Sequence, residues 1–218
     1  MIERRETPRG EWVLRERDTA VGKVFEVIAN GTFLMDSREA TSERALASLA
    51  LAGRPGARVL VGGLGLGFTL RACLELDPAH VEVVEIEPAL VEWVRGPVAS
   101  ELGDPLADPR VAVTVGDVHD VVGQRPGAFD AVLLDTDNGP SWLVDPDNAR
   151  LYERDGLERA VGALRPGGAL AVWAAAAEPA LLDGMAAFLT DAREERVEVR
   201  REGRDLDYFI YVGIRPGT

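Results

Sequence analysis

Sulfur, histidine and positive charge are scarce in this chain. A single cysteine, Cys73, excludes an internal disulfide. Its apolar neighbours place it on a buried helix face, where it reads as a small hydrophobe. Two histidines beside one cysteine fall short of the usual zinc ligand sets. Lysine and arginine number 24 against 37 aspartates and glutamates, a formal net charge of −13. A negative surface repels nucleic acid and attracts cations; it serves solubility, and it can also steer a cationic ligand. No apolar run reaches the roughly 18 residues that span a bilayer. No basic stretch precedes an apolar one in the manner of a secretory signal. The expectation is a cytoplasmic protein with neither a membrane nor a nucleic acid as partner. The chain has 218 residues and 46% hydrophobic content, which suits one sizeable core with a small appendage.

The stretch Arg58-Val59-Leu60-Val61-Gly62-Gly63-Leu64-Gly65-Leu66-Gly67 is the strongest signal. An apolar run leads into a glycine turn, and helix-compatible residues follow from Thr69 to Leu76. Such a turn admits a nucleotide close to the backbone, beside a helix N-terminus. A second apolar run, Val81 to Ile86, carries Glu85 about twenty residues on, where an acid can bind both ribose hydroxyls. Gly63, Gly65 and Gly67 give G-x-G-x-G, whereas the dinucleotide fingerprint is G-x-G-x-x-G. Phe68 crowds the place of a pyrophosphate. The turn therefore favours a nucleoside without phosphates, of the S-adenosylmethionine kind.

The remaining pattern places this turn in a fold. Trp12 to Arg17, Val21 to Ala29 and Thr32 to Asp36 read as extended, with Asn30-Gly31 as a hairpin turn. Residues 11–36 thus form a small β-appendage, followed by a helix over about 39–52 with Ser37 or Ser42 as cap. Strands at 58–61, 81–86, 111–115, 129–135 and 169–173 then alternate with helices near 69–76, 89–94, 118–122, 152–164 and 180–189. Pro166-Gly167-Gly168 reads as a turn. Two last strands, 196–201 and 207–214, have no helix between them, and Glu202-Gly203-Arg204 turns a hairpin. This order predicts an α/β fold: a doubly wound, Rossmann-like, seven-stranded and mostly parallel sheet with a C-terminal antiparallel hairpin. The expected division is 1–53 for the N-terminal β-hairpin and helix, and 54–218 for the nucleoside-binding domain.

In such sheets the ligand lies beyond the carboxyl ends of the strands. Gly62, Gly63, Gly65 and Gly67 would pack on the alkyl part of the ligand, and Glu85 would hold the ribose. Asp117 would accept from the adenine amino group, or else cap the helix behind it, with Val118 on the ring. Asp135, Asp137 and Asn138 lie where the reacting end would project. Glu87 reads as a solvated acid at a helix start, and His119 as a solvated helix residue. Trp142 and Trp173 could wall the pocket, or simply pack.

The chain resembles the spermidine synthase (polyamine aminopropyltransferase) family. The residues that carry the likeness are the GGLGLG-F-TLR turn, Val84-Glu85-Ile86-Glu87, Asp108-Pro109-Arg110-Val111 leading to Gly116-Asp117, Phe129-Asp130-Ala131 to Asp135, and Leu164-Arg165-Pro166-Gly167-Gly168. The resemblance spans roughly 57–175 and implies a class I S-adenosyl fold. Its co-substrate would be S-adenosylmethionine or decarboxylated S-adenosylmethionine, without a metal, and its other partner a small-molecule amine acceptor. It also suggests a homodimer, for which the N-terminal hairpin could provide the contact.

Three departures fall at the reaction centre. The family's glycine-loop aspartate, beside the amine of the decarboxylated donor, is Leu66 here. The second aspartate of its catalytic loop becomes Asn138, in Asp135-Thr136-Asp137-Asn138-Gly139-Pro140. Thr41-Ser42-Glu43-Arg44 stands where the family has Tyr-His-Glu. An attacking amine must lose a proton, and asparagine cannot hold one at neutral pH, which leaves Asp135 or Asp137 as base. Three functions fit: an alkyl (aminopropyl) transferase acting on an amine, a methyltransferase acting on a small molecule, and a non-catalytic homologue that retains the nucleoside site.

Overall fold

A computed structural model describes residues 2–19, 22–201 and 204–217. The chain opens with β1 (Ile2–Thr7), β2 (Gly10–Thr19), β3 (Gly22–Ala29) and β4 (Thr32–Asp36), then α1 (Thr41–Leu51). The alternating part runs β5 (Arg58–Gly62), α2 (Phe68–Glu75), β6 (His80–Glu85), α3 (Pro88–Arg95), α4 (Ala99–Leu102), β7 (Val111–Val115), α5 (Val118–Gly123) and β8 (Phe129–Leu134). After a loop come α6 (Ala149–Tyr152), α7 (Arg154–Ala163), β9 (Leu164–Ala174), α8 (Pro179–Ala186), β10 (Thr190–Arg201) and β11 (Arg204–Ile214).

The large sheet has seven strands in the order β10-β11-β9-β8-β5-β6-β7. Strands β5 to β9 run parallel to one another, while β11 is antiparallel to both β9 and β10. Helices cover both faces, so β5 is apolar on each side. Val59 and Val61 pack with Leu46, Leu70 and Cys73 on one face. Leu60 packs with Val118, Val132 and Leu157 on the other. The switch in strand order falls between β5 and β8, where ligands of doubly wound sheets bind. Among the described residues no helix is long and apolar enough to cross a membrane.

The N-terminal appendage is a four-stranded antiparallel sheet rather than a lone hairpin. Its β3–β4 turn carries Asn30 at φ 51° and Gly31 at φ 78°, as the Asn-Gly signal required. The Asn30 side chain also accepts from Glu11 N and donates to Arg9 O, tying two turns together. The sheet is fixed to the larger unit by a shared apolar cluster: Trp12, Leu14, Phe25 and Val27 against Leu66, Leu90 and Trp93. Thr7 Oγ1 adds a hydrogen bond to Glu87 Oε2 at 2.9 Å.

Several local expectations need correction. Neither Ser37 nor Ser42 caps α1; Glu39 Oε1 accepts from the N–H groups of Ala40 and Thr41 instead. Ser37 Oγ accepts from Phe25 N, and Ser42 Oγ donates to Glu43. Pro166-Gly167-Gly168 is an irregular, bulged stretch within β9, because Leu164 pairs with Phe129 whereas Ala169 already pairs with Ala131. The helix placed near 152–164 is α7, and the short α6 precedes it. Val21 of the expected strand, and Glu202 and Gly203 of the expected terminal turn, lie outside the described residues.

Leu66 is fully buried in the cluster that holds the two sheets together. Leu66→Ala should lower the unfolding free energy by about 2–5 kcal/mol. Urea unfolding at an unchanged m-value measures it. A loss under about 0.5 kcal/mol, as at a surface position, would mean that the appendage is not anchored there.

Candidate functional site: a cavity at the carboxyl edge of the sheet

The end of β5 meets the end of β8 at unusually short range. Gly63 sits at φ +90°, and a Cβ built there would lie 2.1 Å from the Asp135 carbonyl oxygen. Only glycine permits both the dihedral and the approach. Gly63 N donates to Val84 O, and Asp135 N to Gly62 O, so three strand ends are stitched together. A Cβ on Gly62 would strike Val118 Cγ2 at 2.8 Å, which brings the α5 N-terminus into the same corner. Gly65 faces Met35 of β4, and Gly67, at φ +84°, precedes α2.

Glu85 lies under this turn, 4% exposed. Its Oε2 accepts from Leu64 N at 2.7 Å and its Oε1 from Glu87 N at 2.7 Å. Burial pushes this carboxyl up in pKa, and the backbone donors oppose that shift. Each oxygen keeps a further lone pair for a ligand hydroxyl. Glu87 itself is not solvated. It is fully buried, accepts from Ala89 N as the cap of α3, and receives Thr7 Oγ1.

The turn and Glu85 line a cavity of about 580 Å³. Asp117 and Val118 are also on its wall. Asp117 Oδ1 caps α5 by accepting from His119 N, while Oδ2 pairs with Arg150. Both roles considered for Asp117 thus remain compatible, since it caps a helix and faces the cavity at once. His119, expected to be solvated, is 8% exposed and faces Asp120 and Asp155.

The loop after β8 supplies a further part of the wall. Asp135 Oδ2 accepts from Thr69 Oγ1 at 2.6 Å; burial raises its pKa and the Thr69 hydroxyl opposes the rise. Asp137 is turned into its own loop. Oδ1 accepts from Asn138 N and Val144 N, and Oδ2 from Asn148 Nδ2. Burial raises the Asp137 pKa too, against those donors. Asn138 lines the cavity, and its carbonyl accepts from Ala175 N. Glu178 holds the loop from behind by accepting from Ser141 N and Oγ. Thr136 shares a hydrogen bond with Tyr152.

Leu66 is not on the wall; its side chain belongs to the apolar cluster below. The structure adds residues that the sequence pattern does not single out. Glu43, in the first turn of α1, lines the cavity with Asp135. Burial, then the charge of Asp135, raises its pKa to about 7. Trp173, considered above as a wall of the pocket, does line it, paired with Tyr208 at a centroid distance of 5.0 Å. The one signal for Glu43 is that of an acid one turn beyond a β-appendage that ends at the site; Tyr208 carries no local signal. Trp142 is 59% exposed, and Cys73 is buried with its thiol pushed up to about 12, as an inert hydrophobe would be. Among the described residues no group of three or more His, Cys, Asp or Glu is placed to hold a metal ion.

Comparison with known proteins gives this geometry a context. Residues 39–187 match the spermine/spermidine synthase domain. A polyamine aminopropyltransferase of Korarchaeum cryptofilum is 30% identical over 113 residues, 51% of this chain and 33% of that protein. Putrescine N-methyltransferase 3 of Nicotiana tabacum is 33% identical over 113 residues, 51% of this chain and 28% of its own length. The matched segment therefore spans about a third of these curated relatives. Among solved structures, a spermidine synthase in complex with the transition state analogue AdoDATO superposes with TM-score 0.81 at 16% identity, covering 97% of this chain and 72% of that one. Spermidine synthase from Thermotoga maritima gives 0.78 at 17% identity, with the same coverage of each chain. At that identity the likeness is one of fold.

Glu43 offers a test of the electrostatics. Its folded pKa of about 7 lies above the ordinary 4.5. The folded state keeps this proton where the unfolded state has released it, so stability falls as pH rises from about 4.5 towards 7. The contribution is at most about 3 kcal/mol. Glu43→Gln should remove that part of the slope in urea unfolding followed across the window. Equal slopes would place the carboxyl in water at its ordinary pKa.

Proposed function

The chain belongs to the spermine/spermidine synthase domain family, and from that premise we propose that it is a transferase that binds an S-adenosyl nucleoside and alkylates an amine. The observation that carries the reading is the glycine turn folded over the buried Glu85 carboxylate, at the mouth of a cavity shared with Asp117 and Asp135. Glu85 would hold the ribose hydroxyls. Gly63 and Gly65, on the cavity wall, would let the ligand lie against backbone, with Val118 against the purine and Asp117 near its amino group; Gly62 and Gly67, expected to share that role, pack against Val118 and Pro105 instead. The co-substrate is S-adenosylmethionine or its decarboxylated form.

The reacting end then projects towards the loop after β8. A sulfonium-bound carbon is attacked by a neutral amine nitrogen; the C–N bond forms as the C–S bond breaks, and the electron pair goes to sulfur. The proton shed by the ammonium needs a carboxylate. Asp135 suits that role, because it lines the cavity and its side-chain partner among the described residues is a hydroxyl. Asp137 and Asn138 shape the loop, since the Asp137 oxygens are taken by donors of that loop. The enzyme supplies orientation and a dry site around these groups.

One observation favours a second reading, methyl transfer from S-adenosylmethionine itself. The Leu66 side chain is in the core, so the glycine turn presents no carboxylate to the amine of a decarboxylated donor. The putrescine N-methyltransferases of Nicotiana among the relatives are in keeping with it. A non-catalytic nucleoside-binding protein is the reading left if neither transfer occurs. A cytoplasmic, dimeric protein acting on a small amine is the setting we infer.

Calorimetric titration with each donor separates the first two readings. Tighter binding of the decarboxylated form supports aminopropyl transfer, and tighter binding of S-adenosylmethionine supports methyl transfer. Binding of neither would overturn the proposal. Asp135→Asn should leave donor affinity within about twofold while lowering turnover by roughly a hundredfold or more, followed by release of the thioether product. Unchanged turnover would remove Asp135 from the chemistry.

A further inference from the structure

The charges that line the cavity are unevenly matched. Most of its acids are already occupied within the protein. Asp117 pairs with Arg150 and Asp145 with Arg9, which commits both arginines of the wall. Asp36 is held by Arg38, Glu39 by the α1 N–H groups, Glu85 by the glycine turn and Asp137 by its loop. Asp147 is exposed to solvent at the rim, and two further carboxylates differ. Asp135 accepts from the Thr69 hydroxyl, and Glu43 from the Ser42 hydroxyl. Neither ion-pairs with a cation among the described residues.

Both acids line the same cavity, Glu43 from the first turn of α1 and Asp135 from just beyond β8, where Thr69 of α2 holds it. The groups around them are Glu39 just before α1, Ser42 on α1, Cys73 and Thr69 on α2 and Tyr152 on α6, none of them a cation. Two half-buried acids without a cation describe a cavity that a cationic guest would complete.

We propose that Glu43 is a second acceptor-binding residue, which with Asp135 holds one protonated amine of the acceptor between two carboxylates. This rests on the functional reading above and adds to it the residue that sets the charge of the acceptor. Two carboxylates close together disfavour each other's ionisation, and an ammonium between them relieves this. The site therefore selects a cationic amine over a neutral alcohol or amide. When the ammonium passes its proton to Asp135, the remaining negative charge on Glu43 raises the proton affinity of that acceptor. Towards Asp135 itself Glu43 is thus a positioning residue.

The test uses the full chain, with putrescine as the amine probe and 5′-methylthioadenosine as the nucleoside probe. With glutamate side-chain carboxyls labelled with carbon-13, the Glu43 resonance, identified by its absence in Glu43→Gln, should titrate near pH 7 and shift to lower pH on adding putrescine. Putrescine affinity should rise with pH through that range in the wild type. In Glu43→Gln it should weaken by roughly ten- to a hundredfold and lose that pH dependence, with nucleoside affinity unchanged within about twofold. Glu43→Asp should restore part of the affinity. A Glu43 resonance indifferent to the amine, or wild-type putrescine affinity in Glu43→Gln, overturns the proposal. If the nucleoside still binds, the role of Glu43 alone falls; if it does not, the functional reading falls with it.

Discussion

The site depends on one buried carboxylate. Glu85 accepts from Leu64 N and Glu87 N, and so fixes the turn after β5 and the entry to α3 with the same side chain. Its own carbonyl accepts from Gly116 N, which adds the end of β7. Without that acid the N–H groups of the glycine turn would face a dry corner with no acceptor, at a cost of about 1–3 kcal/mol for each. The acid is costly to bury alone, and the turn is costly to form alone; each resolves the other. A ribose, on the proposed reading, would use the lone pairs that remain.

Around that centre, contact distances fix what can stand where. The approach of Gly63 to the Asp135 carbonyl leaves no room for a side chain. The same contact sets the start of the loop that carries Asp135, Asp137 and Asn138. Donors from its own backbone hold Asp137, Glu178 braces the far side, and Thr136 is tied to Tyr152. Asp135 is held by a hydroxyl from α2, and Glu43 faces it from α1. The acids that shape the loop are therefore saturated, and those that face the cavity's open charge are not. Such a division separates scaffolding from chemistry more sharply than the count of acids does.

Most of the sheet is legible in the sequence because its signals are local. Apolar runs at strand length, a glycine turn and Asn30-Gly31 each report a conformation that a few residues decide. What escapes is non-local or polar. Strand β1 reads Ile-Glu-Arg-Arg-Glu-Thr, with no apolar alternation, and it is a strand because β2 pairs with it. Glu87 and His119 look like surface residues until the appendage and α7 cover them. Glu39, just ahead of the helix, accepts from Ala40 N and Thr41 N at the entry to α1, although serines stand nearby. Glu43 does not stand out because its neighbours lack the Tyr-His of the family. Its significance comes from burial beside Asp135, which only the packing of α1 against β8 creates.

Leu66 joins the two themes of packing and charge. At the position where the family carries an acid, this chain carries a side chain that belongs to the cluster of Phe25, Val27 and Trp93. The loss of a donor-facing carboxylate and the attachment of the N-terminal sheet are thus a single structural choice. An aspartate placed there would have to desert the core or be buried unpaired, and the second is the costlier. Negative charge at the reaction end must then come from elements other than the glycine turn. The first turn of α1 and the end of β8 supply it, and both are positioned by the parallel sheet itself. On the proposed reading, selection among cations in this cavity accordingly rests on helix and strand ends, while the turn is left to shape and hydrogen bonding.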